Sequence, residues 1–339
     1  MSIDLSAQYL GLKLKNPLVV SSCPLTGDLD TLRKLERAGA AAAVLPSLFE
    51  ETVEHEEAEI ARLFDYQTNT FAESLSYFPE MQQYNTGPDH YLLHLREAKN
   101  AVQIPVIASL NGTTAGGWTR YAKYIEDAGA DALELNAYFV PTDPHMSPDE
   151  IERRYVDLVS SVRQVISIPL AVKIGPFFTN IAYTARRIVE AGADGLVLFN
   201  RYLEPDIDIE QLQVEPKLVL SNRHELCLPL RWIAIVHEQT KASLAATSGI
   251  HVATDVIKAL LAGADVTMMA SVLLERGPEY LAVMLRELEQ WLREKGYASV
   301  AQITGSMDRG NCPDASAFER ANYTKALISY TNQPPIKSG

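Results

Sequence analysis

The sequence predicts an α/β chain folded as one (β/α)8 (TIM) barrel, and two observations carry that expectation. The first is a recurrence: LERAGAAAAVLP (35–46), IEDAGADALELN (125–136), IVEAGADGLVLFN (188–200) and LLAGADVTMMA (260–270) read alike. Each begins as the end of a helix, turns at Ala-Gly-Ala and enters a short apolar run. Gly39, Gly129, Gly192 and Gly263 stand where a helix closes on a left-handed residue, a conformation glycine adopts freely. The second is that each run is apolar on both faces, as a parallel strand buried between a core and a helix layer must be. The spacing is irregular, so a solenoid is not implied.

The remaining elements fall into place in order. Strands are expected at 17–22 (PLVVSS), 41–47, 105–110 (PVIASL), 132–136 (ALELN), 169–174 (PLAVKI), 195–200 (GLVLFN), 243–247 (SLAAT) and 266–271 (VTMMAS). Helix-period patterns lie between them at 28–38, 118–128, 147–165, 179–191, 253–262 and 278–295. Eight strands alternating with helices indicate the closed barrel, because an open doubly wound sheet would need fewer strands or a second domain. Residues 49–87 form an insertion between the second strand and its helix, far longer than an ordinary βα connection. Its first part, FEETVEHEEAEIARLF, reads as an acidic helix, and the rest is rich in aromatics and amides. It emerges on the face where a barrel builds its active site, so it reads either as a lid or as a surface excursion or dimer contact. A C-terminal helical extension, 297–339, contains Asp314 as a helix cap. No low-complexity linker divides the chain, which reads as one domain over 1–339.

Composition narrows the function. The 339 residues are 47% hydrophobic and 22% charged, ordinary for a globular protein. Against 30 Lys and Arg stand 43 Asp and Glu, a formal charge of −13 that repels phosphate backbones and anionic lipid. Nucleic acid and membrane are therefore not expected partners. Three cysteines, Cys23, Cys227 and Cys312, form no CxxC pair, which argues against a disulfide scaffold, an iron–sulfur cluster or a Cys-rich zinc site in this chain. His90 and His94 stand four apart, but no third ligand follows at diagnostic spacing, so no metal is expected. Without a signal-peptide pattern or an apolar run of about 18 residues, the expectation is a soluble, cytoplasmic protein.

Polar residues at the C-terminal ends of barrel strands are the candidates for chemistry. They are Ser21 and Ser22, Ser47, Asn111, Asn136, Lys173, Asn200, Ser248-Gly249 and Ala270-Ser271. Lys173 interrupts the apolar run LAVKIG, where a buried ammonium requires an anion or a polar ligand. Three readings stand for it: a structural salt bridge, a cation beneath an electron-rich cofactor ring, or a Schiff-base nucleophile. Asn136 and Asn200 each fix a loop or offer donors and an acceptor to a planar, amide-like ring edge. The small residues after strands seven and eight suit close backbone approach to a phosphate.

Taken together, NPLVVSS, ELN, PLAVKI, LFN, SGI followed by a helix and AGAD, then MMAS and RGPEYL, resemble the dihydroorotate dehydrogenases, from about residue 10 to 300 and in the same order. The resemblance implies an FMN-dependent barrel of pyrimidine biosynthesis that oxidises dihydroorotate to orotate. It implies that Asn136 touches flavin and substrate, that Lys173 contacts the electron-rich flavin edge, and that Asn200 holds the pyrimidine. Ser248-Gly249 and Ala270-Ser271 then cradle the FMN phosphate, with Ser22 and Ser47 beside the ring; Asn111, at the end of strand three, is also expected to bind the cofactor. The lack of an N-terminal amphipathic or membrane segment resembles the soluble branch, whose members are often homodimers. The chain departs from the family after ELN, where ELNAYFVPTD puts Tyr138 and Phe139 in place of the Cys or Ser base. Pro46 replaces the family lysine of strand two, and SLSYFPEMQQYN the asparagine-rich loop. The glycines after strand six are also missing. Phe accepts no proton, and a Tyr with pKa near 10 is poorly poised at neutral pH. Three functions are weighed: an FMN oxidoreductase of this family with dihydroorotate or a related ring as substrate and Tyr138, Cys23 or a bound water moving the proton; a Schiff-base lyase or aldolase using Lys173; and a flavin-binding subunit without dihydroorotate turnover of its own, acting with a redox partner protein.

Overall fold

The computed structural model describes residues 3–50, 88–112, 118–137, 139–201, 204–319 and 328. Twelve strands are described: β1 (Ala7–Tyr9), β2 (Leu12–Leu14), β3 (Leu18–Val20), β4 (Ala42–Phe49), β5 (Val106–Gly112), β6 (Ala132–Ala137), β7 (Leu170–Ile174), β8 (Gly195–Leu198), β9 (Pro205–Asp208), β10 (Gln213–Pro216), β11 (Ser243–Thr247) and β12 (Val266–Met269). Eight of them close a barrel in the order β11-β12-β3-β4-β5-β6-β7-β8, every neighbouring pair parallel. The helices on its outside are α1 (Leu29–Ala38), α2 (Pro88–Ala101), α3 (Trp118–Asp127), α4 (Pro148–Arg163), α5 (Ile181–Glu190), α6 (Cys227–His237), α7 (Ala253–Ala262), α8 (Ser271–Arg276), α9 (Tyr280–Lys295) and a final turn, α10 (Ser316–Glu319). The expected (β/α)8 barrel is present.

Two apolar layers hold it. Outward-facing strand residues such as Leu18, Val20, Leu133, Val172 and Leu196 pack under the helices. Inward-facing residues are smaller: Val19, Ala42, Val44, Ile107, Ala132, Ala171, Val197, Ala245 and Val266 fill the barrel, as its narrow interior requires. The β1–β2 hairpin closes the floor with Tyr9, Leu10 and Leu14, and the Leu10 N–H donates to Ser243 Oγ at 2.9 Å.

The recurring Ala-Gly-Ala-Asp carries more than a turn. Its glycines all lie at positive φ, between +94° and +114°. At Gly263 an added Cβ would sit 2.4 Å from the His237 ring. Its aspartates each cross to the neighbouring strand: Asp131 accepts from the Val106 N–H at 2.7 Å, Asp194 from Leu170 at 2.8 Å and Asp265 from Leu244 at 2.7 Å. The first copy has Ala41 instead of Asp, and there Asn16 Oδ1 accepts from the Leu18 N–H at 2.9 Å. Each device caps the exposed N-terminal edge of a strand whose N–H would otherwise lack a partner.

Among the expected helices, α1 begins at the Asp28 cap, whose carboxylate accepts from the Thr31 N–H at 2.8 Å. A capping box of Ser147 and Glu150 opens α4. Asp314 Oδ1 accepts from the Ser316 N–H at 3.1 Å at the start of α10. The sequence reading did not foresee the two hairpins, β1–β2 and β9–β10. Of the 49–87 insertion, residues 51–87 lie outside the described residues, and with them the expected acidic helix and lid.

Candidate functional site

The site stands at the C-terminal ends of the barrel strands, and strand register assembles it. Asn111, Asn136 and Lys173 occupy one row across β5, β6 and β7, paired Asn111 to Asn136 and Asn136 to Lys173. Ser109, Glu134 and Ala171 form the row two residues below on the same strands. The β4 ladder slips between Val44 and Ser47, where Pro46 cannot donate a backbone hydrogen bond. The slip inserts one extra residue and brings Ser47 level with Ser109.

These rows form a connected polar network. Asn136 Nδ2 donates to Ser47 Oγ at 2.9 Å and to Ser109 Oγ at 3.2 Å. Ser47 and Ser109 hydroxyls lie 2.8 Å apart, and Ser22 Oγ is 3.4 Å from Ser47 Oγ. The amide nitrogen of Asn136 is thus committed, whereas its buried Oδ1 has no partner among the described residues. Lys173 is almost wholly buried, with Glu134 Oε1 at 3.4 Å and Ser21 Oγ at 3.5 Å from its Nζ.

Lys173 also lines a cavity of about 260 Å³ that includes Ser21, Ser22, Asn200, Ser248, Gly249, Ala270 and Ser271, so eight of the strand-end candidates converge there. Asn136 and Ser47 adjoin it through the Ser22 hydroxyl, and Asn111 continues the Asn136 row. Asn200 lies in the loop two residues beyond the end of β8. Tyr138 lies outside the described residues. Phe139, in the other position of the family base, is turned toward α4: its ring stacks on Tyr155 at 5.5 Å and carries the Arg154 guanidinium at 5.5 Å. His94 Nε2 faces the Thr26 carbonyl at 3.3 Å.

Following β11 in the same cavity lining, Ser248 and Gly249 both have φ of +74°. A Cβ on Gly249 would meet the Leu226 backbone nitrogen at 2.4 Å, so only glycine fits. Ser248 holds a left-handed conformation that costs a non-glycine residue of order 1 kcal/mol or more, a strain often kept at functional sites. Ser271 Oγ accepts from the Ser221 N–H at 3.0 Å and from Ser221 Oγ at 2.9 Å. His251 Nε2 lies 3.5 Å from the Ser221 hydroxyl.

Electrostatics separate the candidates for proton transfer. Burial pushes the Cys23 thiol up, only partly offset by the Leu25 and Thr26 backbone N–H groups and the Lys173 charge. It therefore remains a thiol at neutral pH, a poor base. Sequence reasoning passed over Glu134, Ser221, Thr247 and His251. Glu134 carried the same signal as Lys173, a charge inside an apolar strand, but not at the strand end. Ser221 sits in a loop with no local pattern to mark it.

The side chains present suit a flavin: an amide oxygen without a partner among the described residues and a weakly paired ammonium would match a ring edge of alternating acceptors and N–H groups, and small residues and hydroxyls line the same cavity. The profile of dihydroorotate dehydrogenase matches residues 4–292. The chain belongs to the dihydroorotate dehydrogenase family. It is similar to the protein named dihydroorotate dehydrogenase B (NAD(+)), catalytic subunit, of Endomicrobium trichonymphae, at 25% identity over 320 residues covering 90% of this chain and 98% of that protein. A protein of the same name from Thermoplasma acidophilum is 25% identical over 89% of this chain and 98% of its own. The putative dihydroorotate dehydrogenase A (fumarate) of Aeropyrum pernix is 28% identical over 63% of this chain and 71% of its own. The chain is thus a dihydroorotate dehydrogenase-like oxidoreductase of the CH–CH class. No helix among the described residues is long and apolar enough to cross a membrane.

Proposed function

We propose that the chain binds FMN in the barrel mouth and uses it to oxidise a C–C single bond of a small ring, with dihydroorotate, converted to orotate, as the reference substrate. The observation that carries this reading is the row Asn136–Lys173 at the cavity, one residue offering an acceptor without a partner among the described residues and the other a cation. Bound FMN supplies hydride acceptance at its ring. The chain's own residues do the rest. Asn136 and Asn200 orient ring edges through their amides, Lys173 favours negative charge, and Ser22, Ser47 and Asn111 flank the ring. Ser248, Gly249, Ala270 and Ser271 receive the phosphate, with Ser221 and His251 beside them.

Substrate oxidation also requires a proton acceptor. Phe139 has no atom that accepts one, and Cys23 is held as a thiol. Tyr138 is proposed for this role, next in sequence to β6. The Schiff-base reading of Lys173 is not favoured, because the relatives over most of the chain are named dihydroorotate dehydrogenases. We further propose a single FMN-binding domain over 1–339, a cytoplasmic homodimer, and a redox partner protein as electron acceptor; two relatives being named catalytic subunits supports the last.

The test is the visible spectrum of the purified protein after reconstitution with FMN, followed by anaerobic addition of dihydroorotate. Flavin bands that bleach support the proposal. No flavin binding refutes the cofactor, and bound flavin that stays oxidised refutes the substrate.

A further inference from the structure

Glu134 has no place in the scheme above, yet it is the most completely buried charged group near the site, at 0% exposure. Enclosing a carboxylate costs several kcal/mol unless partners compensate. Its compensation here is incomplete. Oε1 lies 3.4 Å from Lys173 Nζ, well beyond the 2.7–2.9 Å of a strong ammonium–carboxylate hydrogen bond. Oε2 has no partner among the described residues. Below it, the buried Tyr9 hydroxyl of the barrel floor is also without a described partner, and its pKa is driven up by burial first and by the Glu134 charge second. Glu134 is therefore set between the floor and Lys173, one row beneath Asn136 on the same face of β6.

A salt bridge built only for stability would close the gap and satisfy both oxygens. This one leaves the ammonium loosely held by Glu134 and Ser21, with its third N–H unpaired among the described residues where Lys173 lines the cavity. We propose that Glu134 is a positioning residue for Lys173: its carboxylate holds the ammonium at the ring site and, by opposing its charge, limits how strongly the site stabilises a bound flavin in its reduced, negatively charged form. The proposal rests on the FMN reading. Its physical basis is the weak screening inside the barrel, where a carboxylate next to a cation offsets much of the potential the cation exerts a few ångströms further on.

The readout is sulfite, a small nucleophile that adds to oxidised flavin more tightly as positive charge at the ring increases, together with the midpoint potential of the bound flavin. Glu134→Gln keeps the side-chain shape and removes the charge. The expected result is a sulfite dissociation constant about tenfold lower and a midpoint potential about 30 mV higher, the equivalent of tenfold for a two-electron couple. Glu134→Asp, which keeps the charge on a shorter stem, should shift both in the same direction, the sulfite dissociation constant by two- to threefold and the potential by the equivalent of about 9–14 mV. It serves as the test if the Gln variant does not fold. Variants that bind flavin with unchanged sulfite affinity and potential overturn the proposal and leave Glu134 a structural ion pair. Failure of the unsubstituted protein to bind flavin overturns the cofactor reading, and this inference with it.

Discussion

Asn136 illustrates how a single side chain can be half spent on structure and half reserved. Its nitrogen ties Ser47 and Ser109 together, while its oxygen has no partner among the described residues, in a buried place where an unpaired acceptor costs roughly 1–3 kcal/mol. Asn136→Ala removes that liability along with the acceptor. The expected outcome is an FMN dissociation constant raised about tenfold, read by quenching of flavin fluorescence, with thermal stability within about 1 kcal/mol of the parent. Asn136 and Lys173 were legible in the sequence because a polar group inside an apolar strand needs a reason. Glu134, in the same strand as Asn136, was passed over only because attention falls on strand ends. Its pairing with Lys173 depends on the register between β6 and β7, which local sequence does not state.

At the scale of elements, the repeated aspartates are the most economical stitch in the barrel. Asp194 accepts from the Leu170 N–H at 2.8 Å and is bridged by the Arg163 guanidinium at 3.0 Å. Asp194→Ala should destabilise the fold by about 1.5–3 kcal/mol, the range for a hydrogen bond to a charged group. Urea unfolding measures it, and flavin affinity should stay constant because Asp194 lies at the opposite end of the strands from the cavity. The eight barrel strands and six of the helices around them were legible because helix-then-apolar-run patterns repeat, four of them with glycine at the junction. The β9–β10 hairpin was not, although Ile207, Ile209, Leu212 and Val214 show a partial two-residue alternation. No Asn-Gly or Asp-Gly pair marks its turn; Leu212, at φ +53°, takes a conformation usually left to glycine.

For the whole molecule, acidity is a stability variable. Burial raises the Glu126 pKa, but the Lys123 ammonium, the Ser167 hydroxyl and the backbone N–H groups of Ser167 and Ile168 outweigh it, and the carboxyl falls to about 2. Its folded pKa lies below the unfolded value near 4.5. The stability it contributes is therefore complete above pH 4.5 and lost as pH falls toward 2. Glu126→Gln should lower the melting temperature at pH 6 and make it less dependent on pH between 4.5 and 2.5, measured by scanning calorimetry. An unchanged slope would show that other carboxylates govern acid unfolding.

The ring of strands joins β3, at residues 18–20, to β12, at residues 266–269, and the floor hairpin reaches Ser243. During synthesis, then, the first barrel strand emerges with only one of its two neighbours soon to follow. Its other edge stays open until residue 269 has left the ribosome. Co-translational folding of this chain is consequently a long interval with an unpaired, apolar edge, the condition under which nascent chains recruit chaperones or associate with one another. Closure comes late, and rapid completion after release favours yield more than a fast start does.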